Sequence, residues 1–247
     1  MAKILGFVSG KGGTGKTSLC AALATLLAKG GKKVLCVDCC VGLPGMEHFL
    51  GMYGEGFLSF REVCRGDYRT EQATASQTFP SLQVLTAPIH FAEADVDGEA
   101  FGDMLEAART KFDYILLDGP AGIGPMFRIL SEYADQCIVV TIPDLAAIAA
   151  ACRVGEELET MGKTDVRLVV NRVNEKMLKA MRMTVDDIVD QAGLQLLGLL
   201  PVDTDVLEAA ALNLCLIEYS KRGAAAAAER ICARIEGKSV KIPMRAF

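Results

Sequence analysis

Residues 9–17 read Ser-Gly-Lys-Gly-Gly-Thr-Gly-Lys-Thr and follow directly on the apolar run Ile4-Leu5-Gly6-Phe7-Val8. A strand that feeds a glycine-rich turn and then a helix leaves few folds open. The turn's amides point inward, and the helix that follows adds the positive end of its dipole, so the unit suits a bound polyphosphate. Gly10, Gly15, Lys16 and Thr17 meet the pattern G-x-x-x-x-G-K-[ST]. Gly12, Gly13 and Thr14 lie inside the loop, and Ser18 opens the helical stretch that continues to Ala24. Lys16 is placed to reach the terminal phosphates and Thr17 to offer its hydroxyl to Mg2+. A second lysine, Lys11, stands within the loop itself, where an ordinary phosphate loop has no use for one.

The chain has 247 residues, 51% of them hydrophobic, enough for one large α/β core. Net charge is −5 without a block of like charges, so bulk electrostatics do not point to nucleic acid. The first residues enter a strand rather than a leader, and the apolar segment from Cys137 to Cys152 is broken by Pro143 and Asp144. A cytoplasmic protein is the expectation. Its nine cysteines then read as reduced thiols. Cys36 and Cys39 form a C-x-x-C, but side chains three apart in a strand point to opposite faces, which argues against a metal or redox pair.

Apolar runs recur at Lys3–Val8, Val34–Val37, Leu82–Thr86, Tyr114–Leu117, Cys137–Ile142, Val166–Val170 and Leu196–Leu200. They are continuous rather than alternating, as in parallel strands covered on both faces. Helical patterns separate them at Thr17–Lys29, Gly98–Lys111, Pro125–Tyr133, Asp144–Met161, Thr184–Ala192 and Asp205–Leu212, and a last helix runs from about Ser220 to Glu236. The fold class is therefore α/β, a doubly wound and mostly parallel sheet with helices on both faces. One phosphate-loop domain is expected over residues 1–237, with a short tail over 238–247. Residues 66–80 read as a polar surface excursion, and Ala224–Ala228 as a closely packed helix.

Two predicted strands end in carboxylates, Asp38 and Asp118, at the sheet edge where the first loop would hold phosphates. Mg2+ needs such acceptors there, and the competing reading is an aspartate that caps a turn. A later strand ends in Val170-Asn171-Arg172-Val173-Asn174. A guanine-reading loop would carry aspartate where Asn174 stands, and none is there; Asn171 and Arg172 are the candidate base contacts. The alternative is that Asn171 caps a helix.

Together, Lys11 within the loop and the run Asp118-Gly-Pro-Ala-Gly resemble the deviant phosphate-loop ATPases of the MinD/ParA family, most closely its septum-site members. The resemblance covers nearly the whole chain. It implies two subunits that sandwich two ATP molecules, with Lys11 reaching the partner's phosphates as an arginine finger would. It implies that Asp38-Cys-Cys-Val-Gly-Leu43 is the first switch region, that the asparagine at 171 reads adenine, and that Gly198–Asp203, through Pro201 and Asp203, is the base-binding loop. It also implies an activating or regulatory protein and contact with the inner face of the membrane.

The chain departs from that family in two places. The family's second switch aspartate, which orients the attacking water, is Cys40 here, and the family's asparagine is Gly45. A thiol with a pKa near ~8.5 is mostly neutral at pH 7 and accepts hydrogen bonds poorly, so hydrolysis is expected to be slow. The tail Gly237–Phe247 carries Lys238, Lys241 and Arg245 among apolar residues, which suits an anionic surface, yet Pro243 interrupts any helix there. The readings left open are a partition or flagellar-placement ATPase, a nucleotide-binding scaffold with little turnover, and an iron–sulfur or metal-delivery relative.

Overall fold

The apolar runs fold as β1 (Lys3–Ser9), followed by α1 (Lys16–Lys29), β2 (Val34–Asp38), α2 (Glu47–Leu50), α3 (Phe60–Cys64), β3 (Thr74–Ala75) and β4 (Leu82–Leu85). The chain continues through α4 (Gly98–Arg109), β5 (Tyr114–Ala121), α5 (Pro125–Tyr133), β6 (Gln136–Thr141), α6 (Leu145–Thr160) and β7 (Val166–Val173). It closes with α7 (Glu175–Met181), α8 (Val185–Ala192), β8 (Gln195–Pro201), α9 (Asp205–Ala211), α10 (Leu216–Tyr219) and α11 (Gly223–Ile235). These elements come from a computed structural model, which describes residues 1–243. The strands form one sheet in the order β3-β4-β2-β5-β1-β6-β7-β8. β3 is antiparallel to β4, and the other pairings are parallel. β1 is central, where the connections turn from one side of the sheet to the other, so a crevice opens beyond its carboxyl end.

Alternation along each strand explains why the runs are apolar throughout. Ile4 and Val8 of β1 face one core, with Phe127 and Leu130 of α5 and Ile148 of α6. Leu5 and Phe7 face the other, with α1, α10 and α11. Each fully buried residue of this size contributes about 1.5–3 kcal/mol, so neither face of β1 tolerates a polar substitution. α1 and α11 pack on each other in the second core, to which α1 contributes Ala21, Ala22, Ala24 and Ala28 and α11 contributes Ala224, Ala225, Ala227 and Ala228, beside larger apolar residues of both.

The observed elements depart from the expectations where sequence patterns are short. The stretch 66–80 is not a plain excursion, since it supplies β3, which extends the sheet edge. α2, α3, α7 and α10 have four to seven residues, too few for a periodic signal. α3 is set instead by a reciprocal cap, in which the Arg61 amide donates to Ser59 Oγ at 3.1 Å and the Ser59 amide to Glu62 Oε2 at 2.9 Å. β5 runs on to Ala121, because a register shift lets Ala121 pair with Ser9. Asp118 therefore lies inside a strand and not at its end. Beyond α11 the chain turns back: Arg234 Nε donates to the Val240 carbonyl at 2.8 Å, and Ile242 packs against the first core. Residues 238–243 form neither helix nor strand, and the last part of the expected tail, 244–247, lies outside the described residues.

Candidate active site

The turn after β1 is built by glycines with positive φ. Gly15, at φ +89°, is the residue from which α1 departs, and a Cβ there would strike the Asn171 amide. α1 has no side-chain cap and no acidic residue in its first turn. Its leading N–H groups and dipole thus face the crevice uncompensated, the arrangement that receives a phosphate. Lys16 is buried and Thr14 almost wholly so, and the Thr14 hydroxyl has no partner among the described residues.

Asn171, near the end of β7, donates from Nδ2 to the Thr14 carbonyl at 2.8 Å, and its Oδ1 accepts from the Arg172 amide at 2.8 Å. Arg172 has φ +55°, a left-handed backbone that a non-glycine residue adopts at a cost of order 1–3 kcal/mol. The asparagine that caps the following helix is Asn174, whose Oδ1 accepts from the Met177 amide at 3.1 Å. A cavity of about 530 Å3 connects these parts. Gly13, Gly15, Lys16, Thr17 and Ser18 line it together with Asn171, Arg172 and Asp203, and Asn171 touches the loop itself. Pro201 ends β8 and does not line it. Asp203 does, but its carboxylate accepts from the amides of Asp205 at 3.0 Å and Ala224 at 2.7 Å, so it joins α9 to α11 as well. The apolar wall at Phe49, Val206 and Leu216 carries no sequence signal of its own.

On the switch side, Asp38 and Asp118 are direct partners across β2 and β5, both buried. Asp38 accepts three amides: Cys40 at 2.9 Å on Oδ1, and Gly45 at 2.9 Å and Met46 at 3.2 Å on Oδ2. Burial raises its pKa and the three donors pull it back. Neither carboxylate oxygen of Asp118 has a partner among the described residues, although Thr17 lies beside it. Burial, then the charge of Asp38, push its pKa up to about 7, against the pull of Thr17 and Lys16. Unpartnered hard oxygens beside a hydroxyl fit Mg2+, with Thr17, Asp38 and Asp118 as the residues that would hold it.

Cys40 is half-buried, and its thiol points to the Gly119 carbonyl at 3.6 Å and the Asp118 carbonyl at 3.9 Å. Burial first, then the charges of Asp118 and Asp38, raise its pKa far above the ordinary value. It is a neutral thiol, not a nucleophile. Cys36 and Cys39 belong to the two different cores, on opposite faces of the sheet.

Lys11 is drawn away from the cavity. Its Nζ lies 2.8 Å from Asp144 Oδ1, with both side chains nearly half exposed. Asp144 caps α6 through the Ala147 amide at 2.9 Å, and Lys11 holds its carboxyl below the usual range. Sequence reasoning placed Asp144 in a helix and missed this role, because the pair spans 133 positions.

A model of the CobQ/CobB/MinD/ParA nucleotide-binding domain matches residues 5–217. The septum site-determining protein MinD of Bacillus subtilis is 32% identical over 246 residues, covering 98% of this chain and 92% of that one. The MinD of Synechocystis is 31% identical over 243 residues, covering 97% and 91%. Among solved structures, MinD from the MinC:MinD complex of Aquifex aeolicus superposes with a TM-score of 0.90 at 31% identity, covering 98% of each chain. MinD of Pyrococcus horikoshii, in complex with Mg-ADP, gives 0.82 at 25% identity and covers 96% of each.

Proposed function

Because the chain belongs to the CobQ/CobB/MinD/ParA nucleotide-binding family, we propose that it runs a MinD-like cycle, binding Mg-ATP, pairing with a second copy, and separating after hydrolysis. It is an ATPase of the cell-division site-placement kind, using ATP and Mg2+. The observation that carries the reading is Asp118, a buried carboxylate without a partner beside the hydroxyl of the phosphate loop's Thr17. An ionised carboxylate in that position needs a cation to offset its lost hydration.

The loop amides of 10–15 cradle the phosphates, and Lys16 binds those of its own subunit. Thr17, Asp38 and Asp118 orient the cation. Bound Mg2+ neutralises charge on the phosphate oxygens. Asn171 and Arg172, with Val202 and Asp203, bind adenine in the same cavity. Lys11 leaves Asp144 and offers its ammonium to the partner's phosphates, where charge develops as the bond breaks. Cys40 cannot take a proton from water or orient it well, so turnover is slow and the ATP-bound dimer long-lived.

The unit that does this spans residues 1–237, with 238–247 as an appended tail. Among the described residues no helix is long and apolar enough to cross a membrane. We place the protein on the cytoplasmic side, where the dimer presents two cationic tails to anionic lipid and a regulatory protein accelerates hydrolysis. Light scattering with ATP, ADP and no nucleotide tests the cycle. A doubling of mass confined to ATP is expected, and an unchanged mass in all three overturns it.

A further inference from the structure

Asp38, Cys40 and Asp118 each offer one ligand atom, and these atoms lie within 4.8 Å of one another. The sheet imposes this grouping. Asp38 and Asp118 are register partners on adjacent strands, which run ~4.8 Å apart. Cys40, two residues beyond Asp38, returns its thiol to the same edge and lies against the Gly119 and Asp118 carbonyls. Asp118 is completely buried, and neither of its carboxylate oxygens has a partner among the described residues. That is a second, independent sign of a place built for a cation. A hard ion such as Mg2+ gains nothing from a thiol, whereas two carboxylate oxygens and a sulfur make a donor set for a borderline-soft one.

We propose that Asp38, Cys40 and Asp118 form a Zn2+ site in the nucleotide-free protein. Three protein ligands leave the fourth tetrahedral position to water. On binding, the Cys40 S–H bond breaks and an S–Zn bond forms. The proton passes to solvent, and no electron changes hands. Zn–S and Zn–O bonds of ~2.3 and ~2.1 Å set the ligand atoms roughly 3.6 Å apart, so the group must contract by about 1 Å. The movable member is Cys40, in the loop beyond β2 and only half-buried. Two carboxylates and one thiolate balance the ion together with the Lys16 ammonium, which lies close enough to act on both Asp118 and Cys40. Two of its three ligands, Asp38 and Asp118, are the carboxylates assigned above to Mg2+. Only one consequence rests on the nucleotide reading: Zn2+ on these carboxylates excludes Mg-ATP.

The test uses the full chain without nucleotide. Zn2+ is titrated in competition with a chromogenic zinc indicator, and cysteines are mapped by mass spectrometry after alkylation with and without Zn2+. One ion per chain is expected, with affinity lowered about tenfold or more in Cys40→Ser and unchanged in Cys64→Ser. In wild type, Zn2+ slows alkylation of Cys40 about tenfold but not that of Cys64 or Cys152, which are also only partly buried. This protection needs no variant, so misfolding of Cys40→Ser cannot mimic it. Equal Zn2+ affinity in wild type and Cys40→Ser, or protection on Cys64 or Cys152 instead, overturns the site. Calorimetry with Mg-ATP on the same sample keeps that failure separate from failure of the ATPase reading.

Discussion

Asp38 and Asp118 stand directly opposite each other on β2 and β5, both buried, one accepting three backbone amides and the other none. The imbalance assigns them different work. Asp38 organises the loop from Cys40 to Met46, and Asp118, with no partner among the described residues, is open to the cation proposed above. Its pKa, near 3.8 in an unfolded chain, rises to about 7 in the fold. The native state therefore binds the extra proton, and the stability this brings is full below the unfolded value and lost as pH rises through 7. Thermal melts of the nucleotide-free protein should show Tm falling between pH 5 and 8, and Asp118→Asn should flatten that slope. Mg-ATP affinity should run the other way, rising with pH in wild type and weakened by the substitution at every pH. A slope unchanged in Asp118→Asn would assign the titration elsewhere.

Lys11 rests on an exposed carboxylate, so its loss should hardly change the monomer's melting temperature. Lys11→Ala should bind ATP but show no ATP-dependent rise in mass by light scattering. Lys16→Ala should instead weaken ATP binding itself, by tenfold or more in calorimetry. If Lys11→Ala still dimerises and hydrolyses normally, the cross-subunit role is wrong.

Cys40→Asp restores the water-orienting group and should raise kcat more than it changes KM, since the interaction belongs to the transition state. The missing group commonly accounts for a factor on the order of 10² to 10⁴. Gly45→Asn should add to the gain, because a Cβ at Gly45 meets nothing within 4 Å and its amide already binds Asp38. The third carboxylate beside Asp38 and Asp118 should lower Tm without Mg2+. Steady-state phosphate release measures the rate, and a slower Cys40→Asp enzyme would mean that another group positions the water.

Asn171 joins β7 to the phosphate loop through one hydrogen bond to Thr14. Such a bond is worth about 0.5–1.5 kcal/mol, so Asn171→Ala should weaken Mg-ATP binding roughly two- to tenfold. Wild type should prefer Mg-ATP to Mg-GTP, and the variant should lose part of that preference. Calorimetry with both nucleotides decides it; equal affinities in wild type would remove the adenine assignment.

Residues 238–243 are docked by Arg234 on the Val240 carbonyl and by Ile242 on the core. Deleting residues 238–247 should abolish ATP-dependent sedimentation with anionic liposomes and leave hydrolysis without lipid unchanged. Sedimentation that survives the deletion would exclude the tail as the lipid contact.

The sequence made β1, its loop and α1 legible because the chemistry there is local: strand, turn and helix lie within some thirty residues. The buried strands were legible because each must feed two cores. What stayed hidden depends on distant partners or very short elements. Asp144 looks like a plain helix cap until folding brings Lys11 to it. The strand that holds Asp118 looks finished there until Ala121 finds Ser9 across the sheet. Asp203, expected at the base, also brackets α11 through an amide twenty-one positions away. The departures at Cys40 and Gly45 were visible at once, but only the structure shows that both lie on the one carboxylate, Asp38.

The seam between α1 and α11 has a mechanical meaning. Alanine has no side-chain torsion, so the alanines that both helices bury in this core cannot repack by changing rotamers. Sliding or tilting α1 would open a void along the seam, and cavities in a close-packed interior are costly. The start of α1, with Lys16 and Thr17, is thus clamped to the rest of the molecule. In the proposed cycle the parts left to move as the γ-phosphate comes and goes are the segment from Cys39 to Met46 and the side chain of Lys11. The phosphate loop serves as the anvil, and the cysteine-bearing segment opposite it is the part that gives.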